Sequence, residues 1–329
     1  MTWRTTLRPW APRAAALLLG VATLALAGCN PGAAEARSLL ASCSDGVAAA
    51  CNDLGDRMFR GQHVLRDWRR SASLYEQACD GGLAEGCVRL GELHVNGRSE
   101  RGGVSHDSTM AVGFLERGCD GGAMQGCVVL GNMYLQDDSV LPDVEPTGVL
   151  QDLGRAANLY RTACDGDEMP GCVRLGMLHE EGRGVDQGFT RAAGLFRQAC
   201  DGGSELGCSH LGETYATGAG VEQDLARAVT LYEGACEVEM EGCFNLAGLY
   251  ADGMGVEQDY DRAVELLDQS CDGTMRDGEG SPSLAEGCFR LGDMHANGVG
   301  VSRDVFRAGR YFRRACNLGY QEACRRPTN

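Results

Sequence analysis

The chain has 329 residues, with 46 acidic side chains against 30 basic ones and a net charge of −16; every basic residue other than histidine is arginine. So acidic a surface is a poor partner for nucleic acid or for the anionic face of a membrane. The absence of lysine excludes P-loop phosphate binding, pyridoxal Schiff-base chemistry and serine hydrolysis of the S-x-x-K type.

At the amino end Arg4, Arg8 and Arg13 precede fourteen mostly apolar residues, 14–27, which run into Leu26-Ala27-Gly28-Cys29. Positive charges, a short apolar run and small residues before a lone cysteine resemble a bacterial lipoprotein signal peptide. At about 1.5 Å per residue that run makes a helix of about 21 Å, short of the ~30 Å a membrane anchor spans. The expectation is a leader over 1–28, a lipid on Cys29 that holds the protein on a membrane, and a tether over 29–38. If the host is Gram-negative, Asn30 behind the cysteine resembles the pattern that sorts to the outer membrane, so the expected place is the bacterial cell envelope. Without the leader's three arginines, 27 basic residues face 46 acidic ones and the mature charge is about −19.

From residue 39 to the end the chain repeats. Its other sixteen cysteines form eight close pairs: Cys43/Cys51, Cys79/Cys87, Cys119/Cys127, Cys164/Cys172, Cys200/Cys208, Cys236/Cys243, Cys271/Cys288 and Cys316/Cys324. Six pairs share C-x7-C spacing, and first cysteines recur every 35 to 45 residues. A period near 36 with variable loops predicts an all-α solenoid of about seven helix pairs with terminal caps.

In the plainest copy, residues 207–236, Cys208, Leu211, Gly212 and Tyr215 share one face of a first helix, which Gly218 closes. Ala228, Leu231, Tyr232, Ala235 and Cys236 form the stripe of a second helix, with Asp224 at its N-cap. The register Gly55, Gly91, Gly131, Gly176, Gly212, Ala247 and Gly292 keeps small residues inside first helices; a helical glycine costs about 1 kcal/mol against alanine, so close helix approach is expected there. Between the cysteines of a pair, Asp-Gly-Gly reverses the chain and can bring the two sulfurs within disulfide reach. Zinc is the competing reading, but separated pairs do not supply four converging ligands, so no metal and no cofactor are expected. The pair Cys236/Cys243, one residue shorter than the regular spacing, and the pair Cys271/Cys288, nine residues longer, are the irregular ones; length also enters near Arg98 to Ser108 and near Gln136 to Gly148.

The motif G-C-x-x-L-G-x-x-[YH]-x-x-G…R-A-x-x-L-[YF]-x-x-A-C runs from about Cys43 to Cys324 and resembles the Sel1-like repeat, in the disulfide-bearing subgroup typified by the Helicobacter cysteine-rich proteins. The resemblance implies a TPR-related α/α superhelix with a concave groove, an adaptor role for the wider family, and penicillin binding or slow β-lactamase activity for the cysteine-rich subgroup.

His94, His179 and His295 fall in the register that Tyr134, Tyr215 and Tyr250 hold in sister repeats, which predicts packing aromatics. No catalytic constellation is visible, and none of H-E-x-x-H, G-x-S-x-G or G-x-G-x-x-G occurs in the right context. Two positions past the first-helix cysteine stand Asp53, Arg89, Val129, Arg174, His210, Asn245 and Arg290; three further on stand Asp56, Glu92, Asn132, Met177, Glu213, Gly248 and Asp293. Arg89, Arg174, His210, Asn245 and Arg290 would make a polar ladder able to hold a peptide backbone or carboxylate. The same positions also fit a solvated face with ion pairs such as Arg89/Glu92 and Arg290/Asp293. The expected function is a lipid-anchored scaffold that binds a protein or peptide in its groove; the alternatives are a binder or slow hydrolase of β-lactams or cell-wall fragments, and a purely structural spacer.

Overall fold

The computed structural model describes residues 31–97, 103–136, 149–236, 240–272 and 282–326. The leader and Cys29 lie outside the described residues, as do residues 98–102, 137–148 and 273–281 of the loop insertions. Among the described residues there are fifteen α-helices and no strand.

The chain divides into two units, residues 1–150 and 151–329. The first unit holds α1 (Pro31–Ser44), α2 (Ala48–Arg60), α3 (Trp68–Asp80), α4 (Ala84–Asn96), α5 (Ser108–Asp120) and α6 (Met124–Leu135). The second holds α7 (Leu153–Asp165), α8 (Met169–Glu181), α9 (Phe189–Asp201), α10 (Glu205–Thr217), α11 (Leu225–Cys236), α12 (Met240–Asp252), α13 (Tyr260–Asp272), α14 (Pro282–Asn297) and α15 (Val305–Asn317), then a 3-10 turn at Ala323–Arg325.

Residues 31–38, expected as tether, are instead the first two turns of α1. Gly32, Ala33 and Ala36 are buried there because the apolar side of this helix packs on α2.

Within each unit every helix packs on the next, and first helices of successive repeats also touch: α2 with α4 and α4 with α6, then α8 with α10, α10 with α12 and α12 with α14. Aspartates start most second helices. Asp67, Asp107, Asp152, Asp224, Asp259 and Asp304 each accept a backbone N–H from the first turn, satisfying donors that have no intrahelical partner. Glycine ends most first helices, as at Gly61, Gly182 and Gly218, where φ is 71°, 69° and 76°. A left-handed residue there lets the chain turn into the next element without a Cβ clash.

The small-residue register works as a row of notches. A Cβ built on Gly55, Gly176, Gly212 or Gly292 would lie 2.7, 2.5, 2.8 or 2.5 Å from the ring of Tyr75, Phe196, Tyr232 or Phe312, and at Gly91 it would lie 2.7 Å from Leu115. Each of these residues comes from the following second helix and is buried. The recurrent glycine is therefore a packing requirement.

All eight cysteine pairs are disulfides, with Cα separations of 4.4 to 4.8 Å. Both irregular pairs are bonded, Cys236–Cys243 across a turn one residue shorter and Cys271–Cys288 across a separation of 17. Seven bridges tie a second helix, or α1, to the first helix of the next repeat, and Cys316–Cys324 ties α15 to the terminal 3-10 turn.

Several of these bridged cysteines belong to the core. In the bridges Cys119–Cys127 and Cys164–Cys172, the first-helix members Cys127 and Cys172 are 0% exposed, as are both Cys271 and Cys288. The physical reason is position. The first-helix cysteine lies on the apolar face that packs against the preceding second helix, so its sulfur is enclosed between helices although the turn it staples is at the surface.

Candidate functional site

The polar register on the first helices builds a cleft in the first unit. Asp56 on α2 and Arg89 and Glu92 on α4 line it with Phe59, Arg60, Tyr75, Leu93 and Asn96, around an open-sided space of about 470 Å³. These side chains meet because residues one turn apart on a helix share a face and because α2 and α4 pack side by side. The Tyr75 hydroxyl reaches through from α3 and donates to Asp56 Oδ1 at 2.6 Å. Arg89 Nη1 donates to Glu92 Oε2 at 3.1 Å, and its Nε stands 3.8 Å from Asp56 Oδ1. Gln125 on α6 closes the chain of contacts, donating to Glu92 Oε1 at 2.7 Å.

Burial alone would lower the pKa of Arg89, but Glu92 and Asp56 outweigh it and hold the guanidinium charged above its ordinary value. Burial first, then the bond to Asp56, pushes the Tyr75 hydroxyl up, so it stays a protonated donor. The floor of the cleft is thus a fixed network, with apolar walls at Phe59 and Leu93 and the exposed Arg60 at its rim.

In the second unit the same register is treated repeat by repeat. Arg174 on α8 has Met177 where Arg89 has Glu92, and its nearest polar contact is the Met177 sulfur at 4.0 Å. His210 on α10 stacks on Phe196, with ring centroids 4.8 Å apart. Burial, and secondarily the charge of Arg174, lowers its pKa to about 4, so the imidazole is neutral at physiological pH. Asn245 is half-buried on α12. Arg290 on α14 lies over Phe244 at 4.5 Å and pairs with Glu286 at 3.0 Å.

The expected Arg290/Asp293 pair is corrected. Asp293 takes Arg326 at 3.4 Å, because the terminal turn brings that arginine over α14 while Glu286 lies one turn back from Arg290 on its own helix. The Arg89/Glu92 pair is present as read.

Glu180, one turn beyond the register on α8, is pushed up to about 7, chiefly by burial and then by Glu213 and Glu181. It was not singled out from the sequence, and neither were Phe59, Arg60 and Asn96. Phe59 and Arg60 stand eight and nine residues past Cys51, and Asn96 nine past Cys87, so continuing the same helix face by one turn would have found them.

The histidines behave as packing residues. His94 stacks on Phe114 at 5.9 Å and His295 on Tyr311 at 5.5 Å, and all three are buried, His179 with its Nδ1 3.0 Å from the Asp186 carbonyl. Tyr215, in the same register, accepts from Arg197 and Arg227, each at 3.1 Å. Among the described residues no group of histidine, cysteine, aspartate and glutamate could hold a metal ion, and no helix is long and apolar enough to cross a membrane.

A model of the Sel1 repeat matches seven segments: residues 48–83, 84–122, 126–168, 170–204, 206–237, 241–274 and 285–320. No curated protein matches the chain. Among solved structures, a protective antigen present in uropathogenic Escherichia coli strains, displaying an SLR fold, superposes with a TM-score of 0.68 and 25% identity over 88% of this chain; the chain spans only 57% of that protein. A Sel1 repeat protein from Oxalobacter formigenes superposes with a TM-score of 0.68 and 21% identity, over 94% of this chain and 84% of its own. Cysteine rich protein B of Helicobacter pylori is 27% identical over 44% of this chain and 96% of its own, with a TM-score of 0.34.

Proposed function

The chain belongs to the Sel1 repeat family, and from that membership we propose that this disulfide-stapled scaffold binds a protein or peptide segment along its first helices while a lipid on Cys29 holds it at the cell envelope. The observation that carries the binding role is the first-unit cleft. It combines a rigid polar floor of Asp56, Arg89 and Glu92 with apolar walls at Phe59 and Leu93. Paired carboxylates and guanidinium groups can meet backbone amides, amines and carboxylates, and the walls can take an apolar side chain, which is what an extended peptide offers. The register also changes from repeat to repeat, Arg89, Arg174, His210, Asn245, Arg290, as sequence-selective contacts would. Eight disulfides fit an oxidising compartment outside the cytoplasm. The anchor rests on the leader alone.

A peptide-display selection on the oxidised protein tests the binding role. A consensus enriched by the native chain and lost in an Asp56→Asn, Arg89→Gln variant of equal helicity supports it; the same consensus from both proteins, or none from either, defeats it. For the anchor, labelled palmitate should enter the native protein and not Cys29→Ser. Label retained by the variant would remove Cys29 from that role.

A further inference from the structure

The last two second helices carry opposite charge at two of three positions in one register. Ten, six and three residues before Cys271 stand Asp261, Glu265 and Asp268; the same offsets from Cys316 give Phe306, Arg310 and Arg313. Spacings of four and three put each trio on a single helix face. The two helices are neighbours, since the Tyr311 hydroxyl donates to Asp268 Oδ1 at 2.9 Å.

Residues 303–326 hold seven arginines against two acids, in a chain whose net charge is −16. Some of those arginines serve the fold. Arg303 donates to the Ala296 carbonyl at 3.0 Å, Arg307 stands 3.6 Å from Asp304, and Arg326 lies over Phe289 and Phe312 at 5.3 and 5.8 Å. Arg310 does not: it is exposed, with no ion-pair partner among the described residues. One turn before it Phe306 is 76% exposed. On the acidic stripe Asp261 is exposed and likewise has no ion-pair partner among the described residues, while Glu265 pairs only with Arg262 of its own helix, at 2.9 Å.

We propose that this face joins two copies of the chain in a two-fold dimer, the basic stripe of α15 in each copy lying on the acidic stripe of α13 in the other, with Phe306 covered by the contact. An acidic stripe beside a basic one on the same surface is self-complementary under a two-fold axis, because each contact is then made twice. A solubilising cap would explain arginines, but not an exposed phenylalanine one turn before them on the same face. Repulsion between two acidic copies is screened over roughly 8 Å at physiological ionic strength, whereas the stripe pairs act at contact.

Sedimentation of the oxidised full-length protein at physiological salt tests the proposal, with helicity checked in each variant. The native chain should be dimeric. Phe306→Ala, Arg310→Glu, Arg313→Glu together, and separately Asp261→Arg, Glu265→Arg, should each be monomeric. An equimolar mixture of Arg310→Glu, Arg313→Glu with Asp261→Arg, Glu265→Arg should recover the dimer, since both contacts are restored across the hetero-pair. A monomeric native chain, or a mixture no more associated than its components, overturns the proposal. So does a monomer that binds phosphatidylglycerol vesicles through Arg310, an outcome that gives the stripe to a membrane instead.

Discussion

Alanine at Gly176 should destabilise the protein relative to alanine at Gly194, although both glycines are inside helices of the same packed pair. Gly194 on α9 has open space where a Cβ would go, with nothing within 4 Å. Its replacement should yield the full helix-propensity gain of about 1 kcal/mol. A Cβ on Gly176 would sit 2.5 Å from Cε1 and 2.9 Å from Cδ1 of Phe196, a ring that is 0% exposed and stacked on His210. The ring cannot withdraw without shifting its neighbours, and overpacking of this kind costs about 1–3 kcal/mol. The propensity gain is common to both sites, so the difference between the variants isolates the steric cost. At about 3 °C per kcal/mol for a body of this size, the gap in melting temperature should be roughly 3–9 °C. Thermal melts of the oxidised variants by circular dichroism measure it directly. Adding Phe196→Leu to Gly176→Ala should cost less than the sum of the two single changes, because the smaller side chain leaves the notch. If Gly176→Ala melts at or above Gly194→Ala, the notch account of the recurrent glycines is wrong.

Removing one staple with Cys200→Ser and Cys208→Ser should cost about 2.5 kcal/mol by the chain-entropy estimate for so short a loop, read as a lowered denaturant midpoint; no change would mean the bridge does not restrain the unfolded chain. Glu180 is raised from 4.5 to about 7, so folding disfavours its charged form, and stability should fall as pH rises from about 4.5 to 7. Glu180→Gln should therefore raise the melting temperature at pH 8 and leave it unchanged at pH 4, by an amount well under the unscreened value because the carboxyl is only half-buried; equal shifts at both pH values would refute this. His210 has the opposite sense. Its pKa falls from 6.5 to about 4, so the unfolded chain binds a proton the folded one refuses, and stability should drop as pH falls through that window. His210→Phe, which keeps the stack on Phe196, should flatten the drop, and an unaltered pH profile would count against it. A chromogenic cephalosporin should not be turned over by the oxidised protein; a rate near ~10 s⁻¹ that vanishes in Arg174→Ala, His210→Ala would put a catalytic site on this register instead.

The repeat was legible in the sequence because its determinants are local and recur. Most cysteine pairs span one short turn, each N-cap aspartate acts within three residues, and each apolar stripe follows from helical spacing, so one copy read correctly gives most of the rest. Local chemistry also predicted close packing at the glycine register, but not its partner. That the notch of Gly176 holds Phe196 and that of Gly292 holds Phe312 depends on how two helices cross. The complete burial of Cys127 and Cys172 depends on the same crossing, since spacing pairs the sulfurs but does not say what covers them. The polar ladder was visible as a pattern, while its state in each repeat was not. Arg89 is held by Asp56 and Glu92, Arg174 meets the Met177 sulfur, and Arg290 turns back to Glu286 over Phe244, because partners on adjacent helices compete with those three or four residues away. The helical start at Pro31 was likewise decided by packing between elements. Sequence alone thus determined the repeat, its turns and its staples, which are set within a few residues; tertiary structure decided which polar groups remain available to a ligand, since that depends on neighbours far apart in the chain.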